Sequence, residues 1–314
     1  MKKTVSIMVM IILVLSGLSG CTLLKVNIGE EPQPLQEQVL SGEGNDKVLL
    51  IDVSGIIAST EGAASLGGRK PPGLLARVRE ELDRARLDRR LKAVVLRINS
   101  PGGGVTASDM LYHELVQFKR DTGVKLIAHI MDTGASGAYY AAVAADKILA
   151  QPTSVTGSIG VIMLHVDATG LMQKIGLQTL EISSGERKGM GSPFRAMSPE
   201  ERKIFQGVID SIYARFIGTV SEGRNMPRET VLKFADGRIF TSQEAKDGGL
   251  IDGIGYLDDA LETAKKEAGL PRARVVTYFR PGDYRPNIYS LNLINIDLGE
   301  MMEPGVKFMY IWWP

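Results

Sequence analysis

One serine of this chain, Ser136, lies in the stretch MDTGASGAYYAA (131–142), between an apolar run and a run of small residues. The apolar run predicts a strand and the small residues predict a helix, so Ser136 falls at a strand-to-helix turn. Such a turn can make a serine a nucleophile, because the start of the helix offers backbone amides and a positive dipole to a developing oxyanion. A serine in this place can also be an ordinary helix N-cap. GASG departs from the G-x-S-x-G elbow, since Ala138 stands at its last glycine, and both interpretations stay open on this stretch alone.

A second glycine cluster, PGGG (101–104), follows the neighbouring apolar run. A glycine backbone can approach a ligand closely and direct its amides at it, as the other half of an oxyanion site requires. A phosphate-binding loop is the competing interpretation, but the GK[ST] of a P-loop does not follow the cluster. The two glycine-rich segments therefore favour chemistry in which negative charge develops on an oxygen.

A nucleophilic serine needs a base, and the chain has 3 histidines. His113 falls within a predicted helix and His129 lies late in an apolar strand, so we interpret both as structural. His165, in MLHVD, could form a Ser-His-Asp triad with Asp167 or a later acid. The triad is therefore one of two open interpretations of the base.

The other candidate base is a lysine that burial, away from any carboxylate, keeps neutral. Lys188 lies in SSGERKGMGSP (183–193), where glycines let the chain turn inward. Composition does not prefer it over Lys147 or Lys174. The residues alone leave the base undecided between His165 and a lysine.

Apolar runs and amphipathic segments alternate in the first half of the body. The predicted elements are strands over 47–57, 92–100 and 124–130 and helices over 73–90 and 106–121. This alternation predicts an α/β core with mainly parallel strands and right-handed crossovers. Active sites of such folds gather at the carboxyl ends of strands, where PGGG and GASG both fall.

The second half of the chain predicts a short strand over 177–182 and a long helix over 198–224. Ser198 is the expected N-cap of that helix, and Glu201 completes a capping box. A turn, a short helix, a glycine break and a last helix follow over 236–269.

Composition excludes several classes of protein. Of the 314 residues 44% are hydrophobic and the net charge is +1, so the chain can bury a core but has no field to attract nucleic acid. A single cysteine argues against a disulfide framework. The sequence contains neither an HExxH motif nor a cysteine-rich spacing, so it predicts no metal site. We therefore expect chemistry that needs no metal and no cofactor.

The first residues predict an export signal. Two lysines precede an apolar run, Val5 to Leu18, that is shorter than the ~20 residues of a membrane span. The LSGC that ends it resembles the lipobox of bacterial lipoproteins, in which the cysteine, here Cys21, is lipidated and becomes the mature N-terminus. An uncleaved signal anchor is the alternative, and either one places the body outside the cytoplasm on a membrane surface. We expect a signal peptide over 1–20 and a membrane tether over 21–46, where apolar periodicity is weak.

Six motifs between Lys47 and Leu270 occur in the order and spacing of a known family. They are VSGII, INSPGGGV, GASGAYYAA, PTSVTGSIGV, SGERKGMGSPFRAMSPEER and GRIFTSQEAKDGGLID. In these motifs the chain resembles the bacterial signal peptide peptidases of the SppA type, which are serine peptidases with a Ser-Lys dyad. The resemblance implies the Clp protease/crotonase-like fold, an α/β class of repeated ββα units with mainly parallel sheets. It covers 47–270, which we expect to be the peptidase domain. The tail over 271–314 is rich in proline, tyrosine and asparagine, and we expect it to pack on the body or contact another subunit, with lipid contact as the alternative.

The resemblance also implies roles for individual residues. Ser136 becomes the nucleophile and Lys188 the general base, which decides against His165. The two oxyanion-hole amides and the hydroxyl that orients the lysine would come from Gly103, Gly137 and Ser158.

An extended-peptide mode of binding is implied as well, with apolar remnants of cleaved signal peptides as substrates. The family forms homo-oligomers, in which a neighbouring subunit could complete the site. We therefore expect three partners: peptides, the bilayer through Cys21, and further copies of the chain.

Two other functions are compatible with the same fold. A crotonase-like acyl-thioester enzyme would use the same oxyanion hole but needs a carboxylate base and coenzyme A, to which an exported lipoprotein has little access. A catalytically silent lipoprotein would bind or scaffold peptides without cleaving them.

Overall fold

A central sheet organises the computed structural model, which describes residues 34–58, 73–280, 287–289 and 307–312. The strands are β1 (Gln36–Ser41), β2 (Lys47–Ser54), β3 (Leu91–Ser100), β4 (Gly102–Gly104), β5 (Lys125–Ala135), β6 (Lys147–Ala150), β7 (Val155–Gly157), β8 (Ile162–Leu164), β9 (Ile239–Thr241), β10 (Gly253–Ile254), β11 (Arg274–Phe279) and β12 (Lys307–Ile311). The helices are α1 (Leu74–Arg86), α2 (Val105–Thr122), α3 (Gly137–Ala142), α4 (Thr169–Lys174), α5 (Pro199–Gly223), α6 (Arg228–Leu232), α7 (Ser242–Asp247) and α8 (Leu257–Glu267). The predicted signal peptide, Cys21 and the first part of the predicted tether lie outside the described residues.

The central sheet is largely parallel. Its strand order is β1-β11-β2-β3-β5-β6-β10, and β7 pairs with the end of β5 and with β9. All neighbours from β11 through to β10 run parallel, whereas β1 and β9 are antiparallel additions. A second, antiparallel sheet has the order β4-β12-β8. The predicted α/β core with mainly parallel strands is therefore confirmed.

Continuous apolar sequence explains why β2 and β3 lie in the middle of the sheet. Successive side chains of a strand point to opposite faces, so a strand that is apolar throughout must be covered twice. On one face α8 packs its stripe, which includes Leu257 and Leu261, against Val48 and Val95. The alternate residues of both strands are also buried, and α1 lies against β2.

Helix α5 begins as the sequence predicts. The Ser198 hydroxyl accepts a hydrogen bond from the Glu201 amide at 3.2 Å, and the Glu201 carboxylate accepts one from the Ser198 amide at 2.8 Å. A hydrogen-bonded ion pair with Arg195, together with the Ser198 amide, lowers the pKa of Glu201 to about 2. Within the described ranges, no helix is both long and apolar enough to cross a bilayer.

Two segments differ from their predictions. Residues 177–182, predicted as a strand, are irregular and exposed, and no described strand lies beside them to accept their backbone hydrogen bonds. The predicted tether contains regular structure, because antiparallel pairing with β11 supplies partners for the backbone of β1. Both β11 and β12 belong to the predicted tail, which packs on the body through them, while the domain boundaries stay predictions.

Candidate active site

Ser136 lies in a strained turn between β5 and α3. Its φ of 54° is in the left-handed region, and the residue is only 1% exposed. Its amide donates to the Gly157 carbonyl at 2.7 Å, and its carbonyl accepts from the Tyr140 amide at 2.8 Å. The hydroxyl makes no capping hydrogen bond, so the N-cap interpretation lacks its defining contact. A strained backbone held by surrounding bonds is typical of residues placed for function.

The glycines of β4 lie directly against the start of α3. A Cβ added to Gly102, whose φ is 99°, would lie 2.7 Å from the amide nitrogen of Gly137. As the first residue of α3, Gly137 has no acceptor for its amide within the helix. Two backbone segments therefore meet beside Ser136, and only glycine allows the approach at Gly102.

Gly103 directs its amide away from the neighbouring Ile57. The Ile57 amide donates to the Gly102 carbonyl and its carbonyl accepts from the Gly104 amide, both at 2.9 Å. Because backbone groups alternate sides along an extended strand, the N–H of Gly103 points to the opposite side, toward β12. The predicted oxyanion-hole residues, Gly103 and Gly137, are thus brought together with Ser136.

Ser158 lies beside Ser136 because β7 pairs in parallel with the end of β5. The register places Ala135 opposite Gly157, so the two serines are the next residues on adjacent strands. Ser158 also has a positive φ, 48°, is 6% exposed, and donates its amide to the Arg238 carbonyl at 2.7 Å. Its place next to Ser136 is compatible with the predicted lysine-orienting role.

Lys188 lies apart from these residues, in the exposed segment between α4 and α5. Its amide donates to the Gly185 carbonyl at 3.0 Å. Among the described residues no hydrogen bond or ion pair engages its ammonium group, and none joins it to Ser136. Of the other lysines considered, Lys147 pairs with Asp252 at 3.5 Å, and Lys174 ends the exposed helix α4.

The histidines do not assemble a triad in this chain. Nε2 of His165 is buried without a hydrogen-bond partner in the part of the chain that is described, and Asp167 accepts its hydrogen bonds from Thr169 instead. His129 is fully buried, with Nε2 3.1 Å from the Gly255 carbonyl oxygen, and burial lowers its pKa. His113 is exposed on α2. The described geometry therefore gives His165 no contact with the serine.

An aromatic cluster that the sequence did not predict lies beside Ser136. Tyr140, one turn after Ser136, has its ring 5.2 Å from that of Tyr310 and 5.0 Å from that of Phe216. Its hydroxyl donates to Asp109 at 2.6 Å and accepts from Thr219 at 3.0 Å, and burial raises its pKa to about 12. The two tyrosines of GASGAYYAA were the available signal, since large rings in a run of small residues must fill a space.

Acidic, histidine and cysteine residues do not gather into a metal site in the described ranges. No group of three or more such side chains lies close enough to hold an ion. The residues around Ser136 are instead hydroxyls, backbone amides and aromatic rings. Their chemistry is that of acyl transfer, in which a serine oxygen attacks a carbonyl and amides hold the oxyanion.

Comparison with known proteins points the same way. Residues 118–271 match the model of peptidase family S49. The chain is 37% identical over 243 residues to the putative signal peptide peptidase SppA of Enterococcus faecium. The aligned region covers 77% of this chain and 70% of that protein. It is 33% identical over 251 residues to the chloroplastic serine protease SPPA of Arabidopsis thaliana and 34% over 222 residues to protease 4 of Salmonella typhi. These last matches cover 79% and 70% of this chain but 36% of each relative.

Proposed function

Since the chain belongs to peptidase family S49 and is therefore a serine peptidase related to SppA, we propose that Ser136 is its nucleophile and Lys188 its general base. Membership also confirms the predicted Clp protease/crotonase-like fold. The observation that carries the proposal is the strained, buried Ser136, which lies where the two glycine backbones meet.

The reaction has two halves. Neutral Lys188 takes the hydroxyl proton as the oxygen of Ser136 attacks a peptide carbonyl, and the amides of Gly103 and Gly137 bind the oxyanion. The C–N bond then breaks as the ammonium of Lys188 returns its proton to the leaving amine. Lys188 next takes a proton from water as the water oxygen attacks the carbonyl of the acyl-enzyme ester. The ester C–O bond then breaks and Lys188 returns that proton to the oxygen of Ser136, which releases the second peptide with a free carboxyl group.

Lys188 is exposed in the single chain, so a further contact must cover it before it can act as a base. A lysine serves as a base near neutral pH only when burial removes the solvation of its ammonium form. We propose that a second copy of the chain covers the segment over 162–197 and brings Lys188 to a serine. Exposed apolar side chains in this segment support a protein contact, namely Ile162, Leu164, Val166, Leu171, Ile175, Leu177, Leu180, Ile182 and Phe194.

The substrates we propose are apolar remnants of signal peptides or other unfolded exported peptides. An unfolded segment can enter as an extended strand, whereas a folded protein cannot present its backbone in this way. Lipidation of Cys21 and a place on the outer side of a cytoplasmic membrane or in an outer membrane complete the proposal. They rest on the sequence of residues 1–21.

Peptidase rates of single variants test the roles. The substrates are unfolded casein and an apolar peptide, measured from pH 6 to 10 for the parent, Ser136→Ala, Lys188→Met and His165→Ala, with Lys233→Met, an exposed lysine outside the covered segment, as a matched control. We expect Ser136→Ala and Lys188→Met to lose on the order of 10³-fold or more in kcat/KM, and the other two to retain the parent rate. A lysine base also predicts that the parent rate rises with pH, because the neutral amine is the active form.

Other outcomes would replace parts of the proposal. A dead His165→Ala beside an active Lys188→Met would establish a triad in place of the dyad. An inert parent whose Ser136 does not react with a serine-directed fluorophosphonate would favour the catalytically silent peptide-binding lipoprotein.

A further inference from the structure

Strand β5 changes its register shortly before Ser136. Up to Ile130 it pairs residue for residue with β3, and the pairing resumes at Gly134. The three residues 131–133 therefore lie opposite a single residue of β3, Asn99. Two extra residues in one strand make a bulge, which bends the strand and re-aims the side chains that follow it. The strand thus changes direction just before it reaches the proposed nucleophile.

The bulge also changes the neighbour of β5. Before the bulge β5 pairs in parallel with β6, and after it the strand pairs in parallel with β7. Strand β7 leads directly to Ser158, and its Gly157 carbonyl accepts a hydrogen bond from the Ser136 amide at 2.7 Å. The bulge therefore gives Ser136 the neighbouring strand that holds its backbone and brings Ser158 beside it.

Two side chains supply hydrogen bonds to the backbone of the bulge. The extra residues of a bulge lose their partners in the ladder, so their backbone groups need other partners. The amide of Thr133 donates to Oδ1 of Asn99 at 3.2 Å, and the hydroxyl of Ser154 donates to the carbonyl of Met131 at 2.6 Å. Side chains thus hold the bulge on both sides, from β3 and from the segment between β6 and β7.

The segment that carries Ser154 is itself held by buried hydroxyl groups. Ser154 is 1% exposed, and Thr156 and Ser242 are fully buried. The hydroxyl of Thr156 donates to the Gly134 carbonyl at 2.7 Å, and that of Ser242 donates to the Gln151 carbonyl at 2.5 Å. Loss of a buried hydrogen bond is costly, because the group left behind has no water to replace its partner. The bulge is therefore a defined conformation of β5.

We propose that Asn99 and Ser154 are positioning residues for Ser136, which act on it by holding the bulge of β5. This inference rests on the proposed function, because it takes Ser136 as the nucleophile. The two hydrogen bonds fix the path of the chain into Ser136, and with it the alignment of the serine oxygen with the amides of Gly103 and Gly137. A displacement of about 1 Å can cost about 10²-fold in rate, so loss of either bond should slow chemistry at the serine.

Labelling of Ser136 by a serine-directed fluorophosphonate, measured on the full-length chain, tests the proposal. The rate constant of labelling reports the alignment of the serine, whereas the final labelled fraction reports how much of the protein is folded. Asn99→Ala and Ser154→Ala should each lower the rate constant by about tenfold or more, because each frees one side of the bulge. The final labelled fraction should stay close to that of the parent, with Ser136 verified as the labelled residue by mass.

Two further variants separate positioning from a general loss of stability. Asn99→Asp keeps an oxygen that accepts the hydrogen bond of the Thr133 amide, so it should restore most of the parent rate constant. Ser221→Ala removes a hydroxyl of the same kind, which donates to the Met226 carbonyl at 2.6 Å at the end of α5. It lies away from the bulge and should leave the rate constant unchanged.

The contrary results are distinct from one another. Parent-like rate constants in Asn99→Ala and Ser154→Ala, or a smaller labelled fraction with an unchanged rate constant, would overturn the inference. An Asn99→Asp variant as slow as Asn99→Ala would overturn the role of Asn99. If Asn99→Ala fails to fold, Ser154→Ala, which removes a single oxygen atom, decides the matter. A parent that the fluorophosphonate does not label would overturn the proposed nucleophile, and this inference with it.

Discussion

The two residues proposed to share one proton lie in opposite surroundings. Ser136 is buried and held by backbone hydrogen bonds from β7 and α3, whereas Lys188 is exposed and its ammonium group makes no hydrogen bond or ion pair among the described residues. The residues proposed for the nucleophile side are thus brought together within one chain, whereas the proposed base is not. We therefore propose that assembly, rather than folding of one chain, completes the site.

The largest effect that we predict from this contrast is that of Gly137→Ala, a substitution that adds one carbon atom beside Ser136. A Cβ at Gly137 would overlap the hydroxyl of Ser108, which is buried and donates to the Gly104 carbonyl at 2.9 Å. Gly137→Ala should therefore displace the amide and lower kcat/KM by about 10²- to 10³-fold, the cost of one oxyanion-hole donor. Steady-state kinetics on the apolar peptide measure it.

Two companion variants control this prediction. Adding Ser108→Gly to Gly137→Ala removes the overlapping side chain and should restore part of the rate. Gly207→Ala, at an exposed position of α5 where a Cβ meets nothing within 4 Å, should leave the rate near that of the parent. A Gly137→Ala variant as fast as the parent would show that the nucleophile side is not tightly constrained.

A smaller loss in kcat/KM is expected on substitution of Ser158, where the proposed nucleophile and the proposed base should meet. Ser158→Ala removes the hydroxyl proposed to orient the neutral amine of Lys188, and a hydrogen bond between neutral groups is worth about 0.5 to 1.5 kcal/mol. We expect a loss of up to about tenfold in kcat/KM with an unchanged Tm. The pH-rate profile is the decisive readout, because a merely structural role would lower the rate without moving the profile along the pH axis.

The structure brings Ser136, Gly103 and Gly137 together, as expected for short motifs at strand ends, where local sequence determines local geometry. Their catalytic roles stay a prediction. The pairing of β12 could not be predicted, because Tyr310 meets Gly103 across some two hundred intervening residues and no turn signal links them. The strand expected over 177–182 is wrong for a related reason, since a strand forms only where a partner is available.

The smallest effect concerns the start of α5, at the edge of the exposed segment. The hydrogen-bonded ion pair with Arg195, helped by the Ser198 amide, lowers the folded-state pKa of Glu201 to about 2, against 4.5 for an unfolded chain. Its contribution to stability is therefore present above about pH 4.5 and is lost as the pH falls toward 2.

Glu201→Gln should reduce stability at pH 7 by on the order of 1 kcal/mol, the typical worth of a cap, and should weaken the acid dependence. Urea unfolding at pH 7 and pH 3 measures both effects. Glu200→Gln, its exposed neighbour, is the control and should change neither. Equal acid dependence in the parent and Glu201→Gln would show that the ion pair with Arg195 does not contribute to the pH dependence of stability.

The contrast between the two sides is tested most directly by mixing two inactive variants. Ser136→Ala retains an intact lysine and Lys188→Met an intact serine, so neither cleaves the apolar peptide alone. If the base comes from another copy, unfolding and refolding an equimolar mixture should recover about a quarter of the parent rate, the share of randomly paired sites that combine both intact residues. A mixture as inactive as its components, beside a refolded parent that is fully active, would contradict the account and place both residues of each site in one chain.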